Sequence, residues 1–101
     1  MKSLILAAAL AAGIALPASA APISILAAEN FYGEAAQAIG GDRVSVDSVI
    51  VAPGTDPHDF DPPPSVSRSV SSADVIIMNG ADYDHWMEHL LEAAPASGRA
   101  V

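Results

Sequence analysis

The 101-residue chain contains no cysteine. That single absence excludes a disulfide scaffold, a thiolate zinc site, a cysteine nucleophile and, within these residues, the lipid-bearing cysteine of a lipoprotein. Any metal must therefore be held by histidine and carboxylate. Basic residues are also scarce, 4 against 12 acidic ones, giving a formal charge of −8 and a pI near 4.3. Nucleic acid is excluded as a partner, because binding a phosphate backbone requires clustered Lys and Arg to displace counterions. Aromatic residues make up only 5% of the chain although hydrophobic residues make up 51%, and much of that apolar content lies in the first twenty residues.

Met1-Lys2 is a short positive start, Leu4 to Leu16 is an apolar and small-residue run, and Ala18-Ser19-Ala20 follows Pro17 as a small-x-small cleavage signal. The run is shorter than the roughly 20 residues of a bilayer span. Residues 1–20 therefore read as a secretory signal peptide, and residues 21–101 as an exported, soluble part without direct membrane insertion. Removing the leader takes away Lys2 and no acid, so the remainder is still more acidic. A chain of that size buries only about 60% of its unfolded surface and ordinarily needs a disulfide, a metal or a partner. With no cysteine, and with Gly98-Arg99-Ala100-Val101 falling where another strand would start, the expectation is a truncated sequence.

Ile23 to Ala28 is apolar without alternation, the pattern of a strand covered on both faces. Asn30 offers a helix cap, and Phe31, Ala35, Ala38 and Ile39 repeat at helical spacing up to Gly40-Gly41. Val44 to Val51 reads as a second strand, and the proline-rich and acidic stretch from Ala52 to Pro64 as a loop leaving its end. Between Ser65 and Ala73 the serines alternate like a strand while Val66, Val70 and Ala73 share a helical face. Pro64 at a first helical position and the need for a crossover between parallel strands favour helix. Val75 to Met78 is a third strand, and Asp82 or Asp84 can cap a final helix in which Trp86 pairs with Leu90 and Met87 with Leu91, ending before Pro95. The fold class is α/β, a parallel β-α-β-α-β-α unit at the start of a doubly wound sheet. Ligands of such sheets bind beyond the carboxyl ends of the strands, here Glu29-Asn30-Phe31, the loop from Pro53 to Pro64, and Asn79 to Asp84.

His58 lies in the second of these segments, among Asp56, Asp59 and Asp61. A neutral imidazole is a good ligand for zinc or manganese, and a neighbouring carboxylate can orient its second nitrogen. By residue type alone a solvated loop histidine is the commoner reading, because a single histidine among acids is ordinary on an acidic surface. His85 and His89 stand at i, i+4, but they flank the apolar Trp86, Met87, Leu90 and Leu91 and read as a solvated helix face. The residue after His85 is tryptophan, so the pair is not a His-Glu-x-x-His zinc motif. A nucleophile elbow, a phosphate-binding loop with lysine and a dinucleotide glycine fingerprint are all missing from the sequence, which argues against an enzyme.

Six pieces in order then become recognisable: Glu29-Asn30-Phe31-Tyr32-Gly33, Ile39-Gly40-Gly41-Asp42, Asp56-Pro57-His58-Asp59-Phe60-Asp61-Pro62, Ala73-Asp74-Val75-Ile76, Asn79-Gly80, and Tyr83-Asp84-x-Trp86-Met87. Together they resemble the start of the periplasmic zinc/manganese-binding proteins of metal ABC importers. The resemblance implies a two-lobed, monomeric α/β binding protein with the metal in the cleft between its lobes, residues 21–101 forming the incomplete N-terminal lobe. It makes His58 the first metal ligand, with further histidines and a carboxylate supplied beyond Val101. It also implies periplasmic capture of a zinc ion, or manganese ion, for delivery to an ABC importer permease in the inner membrane. A secreted metal-dependent hydrolase and a fragment without function are the competing readings.

Overall fold

The computed structural model describes residues 14–101; the positive start and most of the apolar leader lie outside the described residues. Residues 14–22 carry no regular structure, with Ile14 and Leu16 exposed. No described helix is long and apolar enough to cross a membrane.

Three parallel strands form the sheet: β1 (Ile23–Glu29), β2 (Val44–Ile50) and β3 (Val75–Ile77), in the spatial order β2-β1-β3. β1 is central. It pairs with β2 from Ile23 opposite Val44 to Glu29 opposite Ile50, and with β3 from Ile25 opposite Val75 to Ala27 opposite Ile77. Its unalternated sequence has this cause, since Ile25, Leu26, Ala27 and Ala28 are all buried, one pair under each face. β2, on the edge, is only partly covered.

Helix α1 (Asn30–Gly40) joins β1 to β2 and lies on the face that carries Ala27 and Val46. Gly33 permits this close approach: a Cβ there would stand 2.2 Å from Ser48 Oγ and 3.4 Å from both the Ala27 Cβ and a Val46 methyl. Helices α2 (Pro64–Ser72) and α3 (His85–Ala93) cover the other face, where Leu26, Ala28, Ile50, Val66, Val70, Ala73, Ile76, Trp86 and Met87 form one core cluster. Each fully buried side chain of the size of Ile76 or Met87 contributes roughly 1.5–3 kcal/mol by leaving water.

The serine-rich segment is helical, with Pro64 in its first turn. Ser69 and Ser71 hydroxyls donate to the carbonyls of Ser65 and Ser67, so the serines satisfy themselves on the helix surface while Val66 and Val70 enter the core. Beyond α3 the chain returns to the sheet: Ile76 N–H donates to Ala100 O and Ala100 N–H to Asp74 O, a parallel bridge outside β3. Arg99 ties this segment down by donating to the carbonyls of Val70 and Ala94, near the C-terminal ends of α2 and α3.

Two helix starts differ from the sequence reading. Glu29, not Asn30, occupies the position before α1, because β1 stays extended and paired through Glu29; the Asn30 side chain instead reaches Glu34 at 3.5 Å. Asp84 does precede α3, but its carboxylate turns back toward the end of β3 and makes no capping bond to the helix.

Candidate metal-binding edge

The three segments after the strands meet at one edge of the sheet. The β2 segment (residues 51–63) carries His58 in a 3-10 turn, Pro57–Asp59. Asp56 fixes that turn: one of its oxygens, Oδ1, accepts the His58 backbone N–H at 2.9 Å and lies 2.8 Å from His58 Nδ1. These two bonds, the side-chain one first, hold the Asp56 carboxyl below its ordinary pKa. With a proton on Nδ1 shared with Asp56, the lone pair of His58 is on Nε2, the tautomer assigned here from the bond pattern. This is the carboxylate-imidazole arrangement found behind metal-ligating histidines. Of the three acids named from the sequence, Asp56 is the one in contact with the ring.

The third segment packs an aromatic ring against His58. Tyr83 stands edge-on to His58 with ring centroids 5.0 Å apart. It belongs to the turn between β3 and α3 (residues 78–84), in which Gly80, Ala81 and Asp82 all adopt positive φ, at 71°, 53° and 67°. Two consecutive non-glycine residues in that region carry backbone strain. Asp84 holds them: wholly buried, it accepts the Asn79 N–H at 2.6 Å and the Gly80 N–H at 2.8 Å. The first segment joins through Tyr32 of α1, whose hydroxyl donates to Asn79 Oδ1. Burial, followed by the charges of Glu29 and Asp84, raises the Tyr32 pKa.

Glu29 ends β1 beneath this turn, 1% exposed, and neither of its carboxylate oxygens has a hydrogen-bond partner. Its pKa is raised to about 7, by burial first and by Asp84 second. Sequence reasoning placed Glu29 in a ligand-facing loop and did not single out its burial, nor the roles of Tyr83 and Asp84. Only the Asn79-Gly80 pair, a turn signal, hinted at a special backbone there.

His85 and His89 lie on α3 with ring centroids 5.9 Å apart, His89 exposed and its Nδ1 4.0 Å from Glu92. Among the described residues no group of three or more His, Asp or Glu side chains is placed to hold a metal ion. His58 and Asp56, 57% and 61% exposed, thus present one oriented nitrogen donor at an open edge.

Comparison with known proteins gives this edge a context. The manganese-binding lipoprotein MntA of Halalkalibacterium halodurans is 36% identical over 70 residues, 69% of this chain and 23% of the relative. The manganese ABC transporter substrate-binding lipoprotein PsaA of Streptococcus mitis is 31% identical over 96 residues, 91% of this chain and 31% of the relative. A zinc-bound deletion variant of ZnuA superposes with a TM-score of 0.69 at 25% identity, over 80% of this chain and 31% of that one. The chain thus spans between about a fifth and a third of the length of the relatives it matches. Residues 25–101 match the family described as "ZnuA: Zinc-uptake complex component A periplasmic", a span that takes in the helices, the His58 edge and all of the sheet but the first two residues of β1, and the chain belongs to that family.

Proposed function

We propose that residues 21–101 form the N-terminal lobe of an exported binding protein that captures a divalent transition metal, zinc or manganese, in the periplasm and delivers it to the permease of an ABC importer. Residues 1–20 act as its cleaved signal peptide. His58 is the metal ligand of this lobe, and the observation that carries the reading is its backing by Asp56, which leaves Nε2 as a donor at the edge where the strand-end segments converge. The remaining ligands come from elsewhere in the complete protein, and the ion is cargo, taken up and released by a change in lobe arrangement without turnover. The acidic surface draws cations toward the cleft. Zinc and manganese both accept imidazole, so the choice between them falls to the other ligands. No observation favours the hydrolase reading.

The test is His58→Ala in the full-length exported protein, titrated calorimetrically with zinc and with manganese. Loss of a direct ligand should weaken binding by more than the roughly 10–100-fold that outer partners of a ligand carry, with the metal-free fold unchanged. Unaltered affinity would remove His58 from the site.

A further inference from the structure

Two buried carboxyl groups lie at the carboxyl edge of the sheet, and the proposed capture of metal uses neither: Ala27 pairs with Ile77, so Glu29 at the end of β1 comes level with Asn79, whose N–H Asp84 holds. Asp84 is satisfied: its two oxygens each accept a backbone N–H, from Asn79 and Gly80. Glu29 is not, for both of its oxygens are buried without a donor. As two carboxylates, the pair would hold two like charges out of water, an arrangement that cannot persist when one group can bind a proton. As an acid, Glu29 becomes the donor that the site lacks, and Asp84 keeps free lone pairs for it, since a carboxylate accepts about four hydrogen bonds. The other titratable groups around the pair are Tyr32 of α1 and Tyr83 of the same turn, and burial with the nearby carboxyl charges raises the Tyr32 pKa, which keeps its hydroxyl neutral. Among the described residues no cation offsets the charge of Glu29.

We infer that Glu29 and Asp84 bind one proton between them, and that this acid-carboxylate bond latches the end of β1 to the strained turn that sets Tyr83 against His58. In the protonated state one Asp84 carboxylate gathers three donors, Asn79 N–H, Gly80 N–H and Glu29 O–H. Deprotonation removes the third and sets a repelling charge beneath the turn. The latch stands on the pair's own geometry; its meaning as a pH input to the metal-binding edge rests on the function proposed above.

The sign follows from the raised acid. The folded state keeps the proton up to about pH 7, whereas the unfolded chain releases it near the ordinary value of 4.5. The contribution to stability is therefore complete below pH 4.5 and is lost as pH rises to about 7. Within that window one extra bound proton changes the folding equilibrium by up to about tenfold per pH unit.

Carbon-13 NMR of the side-chain carboxyls in the full-length, metal-free protein tests this directly. Glu29 should titrate near pH 7, and the backbone amide signals of Asn79 and Gly80 should follow the same midpoint. In Glu29→Gln, which carries a permanent donor in place of the acid, those amide signals should be flat through that range. In Asp84→Asn the Glu29 midpoint should fall, because its charged neighbour is gone. A Glu29 midpoint below 5, amide signals that ignore its titration, or a midpoint unmoved by Asp84→Asn would each overturn the latch. Because no metal is present, these outcomes are independent of whether His58 binds one.

Discussion

Asp56→Ala asks how much of a metal site's affinity lies in the residue behind the ligand. Asp56 makes two contacts to His58 through one oxygen, the backbone bond at 2.9 Å that shapes the 3-10 turn and the ring contact at 2.8 Å that fixes tautomer and orientation. Alanine removes both, so the ring regains rotational freedom, either nitrogen can carry the proton, and the imidazole loses the basicity lent by the anion. Outer partners of this kind carry roughly 10–100-fold in metal affinity. Since both side chains are more than half exposed, water screens the charge component, and the expected loss is near the lower end, about tenfold. Asn, which keeps an acceptor for the backbone and ring N–H groups but no charge, should lose only about threefold, the part that depends on charge. The assay is a competition titration of the full-length protein against a chromophoric zinc chelator, with metal-free thermal unfolding to establish that each variant is folded. Wild-type affinity in Asp56→Ala, beside a large loss in His58→Ala, would refute the idea that the ligand is oriented from behind.

Two further outcomes concern the scaffold. Asp84→Ala deletes the acceptor of two buried, charge-assisted backbone bonds in a turn with two non-glycine residues at positive φ; at about 1.5–3 kcal/mol per bond, less the relief of repulsion with Glu29, urea denaturation should find it about 2–4 kcal/mol less stable, and wild-type stability would mean the turn holds itself. Gly40→Ala should cost about 1–3 kcal/mol in the same measurement, since its Cβ would stand 2.5 Å from both Val44 methyls and 3.0 Å from the Val44 Cβ; a neutral result would mean that Val44 can move aside.

The architecture was readable because its determinants are local. The apolar run after Pro22, interrupted only by Ser24, specifies a central parallel strand, and Pro64 together with the Val66–Val70–Ala73 face outweighs the serine alternation in α2. The helix starts differ for a non-local reason: Glu29, held extended by its pairing with Ile50, is itself the residue before α1, so Asn30 falls inside the helix, and Asn79 and Gly80 offer Asp84 better-placed donors than its own helix does. The site divides the same way. His58 and its acidic loop are visible as a motif, and the Asp56 contact spans only two residues. Tyr32 with Asn79 and His58 with Tyr83 are separated by tens of residues, and the burial of Glu29 exists only once the turn after β3 folds over the end of β1. A glutamate between an apolar strand and a helix gives no local sign of that.

The strained turn and the buried acid pair follow from one demand on this edge. In the function proposed above, a ligand contributed by one lobe must wait, correctly aimed, for partners contributed by another part of the protein, and any freedom it keeps beforehand is lost on binding and subtracted from affinity. Asp56 removes part of that freedom by its bond to Nδ1, and Tyr83 limits it further by packing edge-on to the ring. Tyr83 can do so only if its turn is rigid, and a turn with three successive residues at positive φ is rigid only while bonds beneath it compensate the strain. Asp84 supplies two such bonds, and burying it so close to the end of β1 brings its charge against Glu29. The unusual ionisation of Glu29 is thus a consequence of how firmly the far side of the edge is built, and it makes that firmness sensitive to pH at a position removed from the imidazole itself. Selectivity is a separate matter: nothing in this arrangement distinguishes zinc from manganese, because it fixes the direction of one nitrogen donor and leaves the number and hardness of the others open.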